Sequence, residues 1–154
     1  MPSDEQFLQQ AIDLALANVR DAGGRPFGAV VVKDGEVIAT GVNEIGVTGD
    51  PTAHAELSAI RQAAAALGSP RLDGCIVYAS GQPCPMCLSA MYLTGVSAVR
   101  FAYSNADGEP FGISTASVYA ELAKPMEDQA LDIGHQPADP AQESPYAVWK
   151  ARQI

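Results

Sequence analysis

At 154 residues, 47% of them hydrophobic, the chain has the length of one domain and enough apolar content for a core. A net charge of −9 and a pI near 4.4 argue against electrostatic capture of nucleic acid, and no run of 18 apolar residues marks a membrane span. The polar, acidic opening "MPSDEQFLQQ" lacks the basic and apolar regions of a secretion signal, so the expected compartment is the cytoplasm.

Ser3 and Gln6 form a capping-box pattern, and Phe7, Leu8, Ala11, Ile12, Ala15 and Val19 follow helical spacing. That helix is expected to stop at "DAGGRP", where glycine and proline break it. "FGAVVVKDGEVIATGVN" reads as two strands joined at Asp34-Gly35, a strong hairpin signal. After a loop, "EIGVTGD", a second helix is expected from Pro51-Thr52 to Leu67, ended by Gly68. "CIVYAS" is a short strand, a third helix runs from Pro85 to about Leu93, and "VSAVRFAYS" is the next strand. Residues 105–113 read as a loop. Ser114 or Thr115 caps a fourth helix through Leu122, and a short helical end lies at "YAVWKAR". Strands alternating with helices predict a layered α/β fold.

Two stretches carry chemistry. "PTAHAEL" holds His54, one of two histidines, with Glu56 two residues on; "QPCPMC" holds Cys84 and Cys87. Cysteines at i and i+3 across a helix start can aim both sulfurs at one ion, and the helix N-terminus favours thiolates. In a reducing compartment this spacing suits a metal or redox role better than a disulfide framework. With His54 they supply three zinc ligands, leaving a fourth position open as catalytic sites commonly do. One Zn²⁺ per chain is expected. Glu56 makes the set mechanistic, because a carboxylate beside the ion can move protons. H-x-E with P-C-x-x-C is the signature of zinc-dependent deaminases. Cys75 reads as buried packing, His135 as a solvated residue, and Tyr146 and Trp149 as packing the tail onto the body.

At these residues the chain resembles the cytidine deaminase-like superfamily, and within it the bacterial guanine deaminase branch. The resemblance runs from "RPFGAVVVKDG" through "DPTAHAELSAIRQA" and "QPCPMCLSAMY" to "SPYAVWK". It implies a three-layer α/β/α fold with a mixed five-stranded central sheet, in a single domain over 1–154. Residues 124–154 would form a C-terminal tail that closes the site. It implies hydrolytic deamination of a free nucleobase or small amino heterocycle, with guanine the first substrate to try. His54, Cys84 and Cys87 match zinc ligands and Glu56 the proton shuttle. Phe27 matches an aromatic that stacks on the base, Asn43 an amide that hydrogen-bonds the ring, and Ala55 a position whose backbone faces the substrate. A homodimer is implied by relatives that pair through sheet-covering helices and the tail.

Two departures stand out: the segment before the fourth helix, which bears on the substrate, and the tail, which ends "KARQI" without a terminal aromatic. Ser114 and Thr115 stand where the branch carries purine-reading acids, and a hydroxyl carries no charge; Asp107 and Glu109 are nearby alternatives. Gln82 stands where relatives often have glutamate. Within the class, a cytosine, other aminopurine or nucleoside deaminase is the second reading. A tRNA adenosine deaminase fits the acidic charge less well. The rival outside the class is a non-catalytic, zinc-stabilised binding protein, against which the presence of Glu56 argues.

Overall fold

The capping box at the N-terminus forms as its residues predict. In this computed structural model, which describes residues 1–153, Ser3 Oγ accepts from the Gln6 N–H while Gln6 Oε1 accepts from the Ser3 N–H. Helix α1 (Asp4–Ala22) follows and ends at Gly23, whose φ of 64° gives the left-handed turn that closes it. Strands β1 (Gly28–Lys33) and β2 (Glu36–Val42) pair antiparallel through Asp34-Gly35. Both turn residues have positive φ, 51° and 79°, as a two-residue hairpin of matching twist requires.

The loop after β2 contains a short helix, α2 (Ile45–Thr48), that the apolar pattern did not signal. The next helix, α3 (Ala55–Leu67), begins four residues later than the expected Pro51. Asp50 explains the delay: its carboxylate accepts from the Thr52 N–H and hydroxyl, at 2.8 and 2.7 Å, and holds 50–53 as a turn. Strand β3 (Cys75–Gly81), helix α4 (Pro85–Thr94) and strand β4 (Ala98–Tyr103) complete the sheet.

The strand order is β2-β1-β3-β4, antiparallel except for the parallel pair β3 and β4. The sheet is mixed, as expected, but it has four strands rather than five. After Tyr103 the chain turns at once into helix α5 (Asn105–Gly108), a 3₁₀ turn (Glu109–Phe111) and helix α6 (Ala116–Leu122). Ser104 opens α5 with its own capping box to Asp107, a local signal that converts the expected loop into helix. No described residue pairs with the free edge of β4.

The two faces of the sheet build two cores. Alternate residues Val30, Val32 and Tyr78 meet Phe7 and Ala11 of α1. The others, Ala29, Val31, Cys75 and Val77, meet Ala55, Ala59, Ile60 and Ala63 of α3 and Cys87 and Met91 of α4. Helices on both faces give three layers. Gly41 lets α3 lie close to β2, since a Cβ there would stand 2.3 Å from the Ala55 carbonyl oxygen.

The chain divides into two compact units, Met1–Ala120 and Glu121–Ile154. In the second, Lys124 Nζ bonds the Glu121 carboxylate at 2.8 Å, a 3₁₀ turn covers Met126–Asp128, and Ser144 caps helix α7 (Pro145–Ala151). Tyr146 and Trp149, expected to be packed, are exposed. They stand three residues apart on a helix of seven residues, too short to bury a full apolar face.

Candidate active site

Two helix N-termini assemble the donor set. His54 and Cys84 are the N-cap residues of α3 and α4, both with extended backbone. An N-cap side chain normally accepts from the helix's first free N–H groups, and losing that bond costs about 1 kcal/mol. Neither His54 nor Cys84 makes it. Their side chains meet each other instead, with His54 Nδ1 3.4 Å from Cys84 Sγ and 3.6 Å from Cys87 Sγ. Pro85 at the start of α4 fixes the first turn, so that Cys87, three residues on, comes back beside Cys84.

All three donor atoms lie within 4.8 Å of one another. Tetrahedral zinc with its usual bond lengths sets sulfur–nitrogen edges of about 3.6 Å. The separations fit such an ion, and His54, Cys84 and Cys87 form a possible zinc site. The electrostatics agree with thiolate formation. Cys84 is pulled down to about 4, first by its hydrogen bond with Cys87 and then by His54. The Cys87 thiol is pushed up by its hydrogen bond with Cys84 and by burial. His54 is raised by its hydrogen bond to Cys84.

Glu56, in the first turn of α3, is only 5% exposed. Burial raises its carboxyl above the ordinary range, and a hydrogen bond with the Cys87 thiol pulls the other way. A carboxylate held this close to the donor set can exchange protons with anything bound there. Ala55 is fully buried between His54 and Glu56. Phe27 packs against the cluster that contains Ala55, Cys84 and Cys87. Asn43 joins it through the backbone, its N–H donating to the Phe27 carbonyl at 3.2 Å. Asn43 Oδ1 accepts from the Ile45 N–H, which leaves its amide nitrogen without a hydrogen bond among the described residues.

Ser114 and Thr115 sit at the start of α6. Ser114 Oγ accepts from the Ala116 N–H, and Thr115 donates from both N–H and hydroxyl to Asn105 Oδ1. No hydrogen bond joins either to the donor set. Asp107 is engaged in capping α5 through Ser104, and Glu109 is exposed. Cys75 is buried in β3 and His135 is exposed, as expected.

Two supporting residues, Asn18 and Tyr119, escaped the sequence reading, and a third, Gln82, stood out there only as a departure from relatives. Asn18 lies on the buried face of α1 and donates to the Arg25 and Asn43 carbonyls at 2.8 and 3.0 Å, holding the loops around Phe27 and Asn43. An asparagine on the Ala11–Ala15 stripe was the available signal. Tyr119 of α6 donates to the Pro83 carbonyl beside Cys84. Burial raises its phenol, with the neighbouring thiols and Glu56 adding to the effect. Gln82 Oε1 accepts from the Asn105 N–H at 2.9 Å. A cavity of about 480 Å³ is lined by Ile12 and Leu16 of α1, Phe27, Gln82, Tyr103 and Asn105 among others; His54, Glu56, Cys84 and Cys87 do not line it.

Two soft thiols and an imidazole bind zinc, and a buried carboxylate beside them handles protons; hydrolytic loss of an amino group uses both, and the class is the zinc-dependent deaminases. The chain belongs to the family of the cytidine and deoxycytidylate deaminase zinc-binding region, whose model matches residues 1–103. It is 42% identical to the guanine deaminase of Bacillus subtilis (strain 168) over 146 residues, 95% of this chain and 93% of that one. The solved structure of guanine deaminase from Bacillus subtilis superposes with a TM-score of 0.88 at 41% identity, covering 97% and 95% of the two chains. Guanine deaminase from Nitrosomonas europaea gives 0.69 at 30% identity over 75% and 66%. The tRNA-specific adenosine deaminase of Aquifex aeolicus is 34% identical over 90% and 89%. Zinc is the cofactor of this family.

Proposed function

We propose that this protein deaminates free guanine hydrolytically, water replacing the amino group and ammonia leaving. The observation that carries this is the convergence of His54, Cys84, Cys87 and buried Glu56 in a chain similar to a guanine deaminase over nearly its whole length. His54, Cys84 and Cys87 would hold the zinc, which would supply an acidified water to the site. Glu56 takes the proton from that water and passes it to the ring and then to the leaving amine. Its buried setting supports this, because burial raises the carboxyl's affinity for a proton and so favours taking one up from a bound water.

Phe27 stacks on the base, supported by its position against the Ala55–Cys84–Cys87 cluster. Asn43 donates its unengaged amide to the ring, and the Ala55 backbone lies along it. Ser114 or Thr115 meets the far edge. The partner is a small nucleobase and not nucleic acid: the −9 charge repels a phosphate backbone. The cytoplasm is the compartment, in keeping with the absence of any described helix long and apolar enough to cross a membrane. The protein works as a homodimer, with residues 124–154 closing a site. Exposed Tyr92 and Leu93 on α4 and, separately, exposed Tyr146 and Trp149 on α7 support apolar surface that is covered in the working form.

Incubating zinc-loaded protein with guanine and following xanthine and ammonia tests the reading. Stoichiometric formation of both is expected. Turnover of adenosine in tRNA with none of guanine would overturn it.

A further inference from the structure

We propose that Gln82 and Asn105 determine specificity by presenting N–H donors to an acceptor-bearing edge of the substrate ring. This rests on the deaminase reading of the site.

The orientation of both amides is fixed by partners that can only donate. Gln82 Oε1 accepts from the Asn105 backbone N–H at 2.9 Å, and Asn105 Oδ1 accepts from the Thr115 backbone N–H at 3.1 Å. A backbone N–H admits no other assignment, so each amide turns its NH₂ group away from its anchor. Among the described residues neither NH₂ group has a hydrogen-bond partner, and neither nitrogen is a sealed, unsatisfied atom. Both therefore remain available. Both residues line the 480 Å³ cavity, whose wall includes Phe27. Phe27 is common to the cavity wall and to the cluster holding Cys84 and Cys87, and Gln82 stands two residues before Cys84 in the chain.

The anchoring is continuous. The Gln82 N–H donates to the Tyr103 carbonyl at 2.7 Å, and the chain of bonds then runs from Gln82 through Asn105 to Thr115. It ties the end of β3, two residues before Cys84, to the starts of α5 and α6. A carboxylate at 82 could accept the Asn105 N–H equally well. What glutamine adds is the free donor, and what it removes is a charge. Asp107 also lines the cavity, but its carboxylate is engaged by the Ser104 N–H and hydroxyl, so the two amides supply the fixed, unengaged donors of this rim. Such a rim favours a ring carbonyl or unprotonated ring nitrogen. A ring edge of N–H groups would leave donors facing donors, with each lost pairing unfavourable.

The test compares wild-type protein with Gln82→Glu and Asn105→Asp. Each keeps the oxygen that its backbone N–H needs and removes the donor. kcat/KM is measured with guanine, with 7-deazaguanine (no N7 acceptor) and with 2-aminopurine (no ring carbonyl), with zinc content and melting temperature followed alongside. Wild type is expected to favour guanine over at least one analogue by about 3- to 10-fold, the value of one neutral hydrogen bond. At least one variant is expected to erase that preference by losing guanine activity and sparing the analogue. A common loss across all three substrates would reduce the residues to a structural role and overturn the proposal, as would unchanged ratios in both variants. If guanine is inert but cytosine turns over, the guanine reading falls alone; the amides are then judged by the same ratio between cytosine and 4-aminopyrimidine, which lacks the ring carbonyl. If no base in the set turns over, both readings fall.

Discussion

His54 and Cys84 occupy positions where a side chain ordinarily stabilises its own helix, and both forgo that bond. Such a sacrifice is sensible only if the side chains have another partner, and the 3.4 Å approach of Nδ1 to Sγ is what a shared ion requires. Cys87→Ala should therefore bind zinc far more weakly, as metal analysis after dialysis against a chelator would show; retention equal to wild type would remove Cys87 from the ligand set. Glu56→Gln keeps shape and burial but cannot accept a proton. It should retain zinc and fold while losing about 10²- to 10⁴-fold in turnover, and near-normal turnover would mean that another group moves the proton. At the rim, Thr115→Asp introduces an acceptor where the branch carries one. It should raise guanine activity relative to other aminopurines, and an unmoved ratio for it and for Ser114→Asp would show that this segment does not read the ring. The donor set and Glu56 were legible in the sequence because their chemistry is rare and their spacing tight. Asn18, Asn105 and Tyr119 were not, and Gln82 showed only as a departure without a role, since each acts through a backbone carbonyl or N–H brought near only by the fold.

Elements follow local chemistry where caps and turns are strong, and depart from it where a side chain redirects the backbone. The Ser3 box, the Asp34-Gly35 turn and the glycines after α3 and α4 all fall where the residues say. The late start of α3 and the unforeseen α5 both trace to short polar side chains, Asp50 and Ser104. The fifth strand was an inheritance from the resemblance; the residues themselves offered four strand patterns, and four strands form. The docking of α1 on the sheet carries a testable pH dependence. Tyr78 of β3 is buried against Phe7, ring centroids 5.0 Å apart, and its hydroxyl donates to Asp4 Oδ1 at 2.6 Å. Burial first, then the Asp4 carboxylate, pushes the phenol up to about 12. An unfolded tyrosine ionises near 10. The folded state thus holds its proton longer, so this contribution is complete below about pH 10 and is lost as pH rises through about 12. Urea midpoints measured from pH 8 to 12 should fall less steeply above pH 10 for Tyr78→Phe than for wild type. Parallel curves would mean that Tyr78 does not couple ionisation to folding.

At the scale of the whole molecule, apolar surface and charge pull in opposite directions. Tyr92 and Leu93 at the end of α4 are each 80% exposed, Tyr103 on the unpaired edge of β4 is 56% exposed, and Tyr146 and Trp149 stand out from α7. Single exposed apolar residues are ordinary, but two adjacent large ones on a sheet-covering helix and an uncovered aromatic strand edge favour association. Against this, each chain carries a net charge of −9, and two such chains repel at long range. Salt screens the repulsion over about 10 Å at 0.1 M and leaves apolar burial intact or strengthened. The protein is therefore expected to be a dimer of twice 16.0 kDa at micromolar concentration and moderate salt, with the monomer gaining only as ionic strength is lowered. Light scattering across a salt series reads both mass and trend. Replacing Tyr92 and Leu93 together with serine should shift the equilibrium towards monomer, if α4 contributes to the interface, without moving the zinc ligands at the opposite end of that helix. A wild-type mass of one chain at every salt concentration would rule out the dimer.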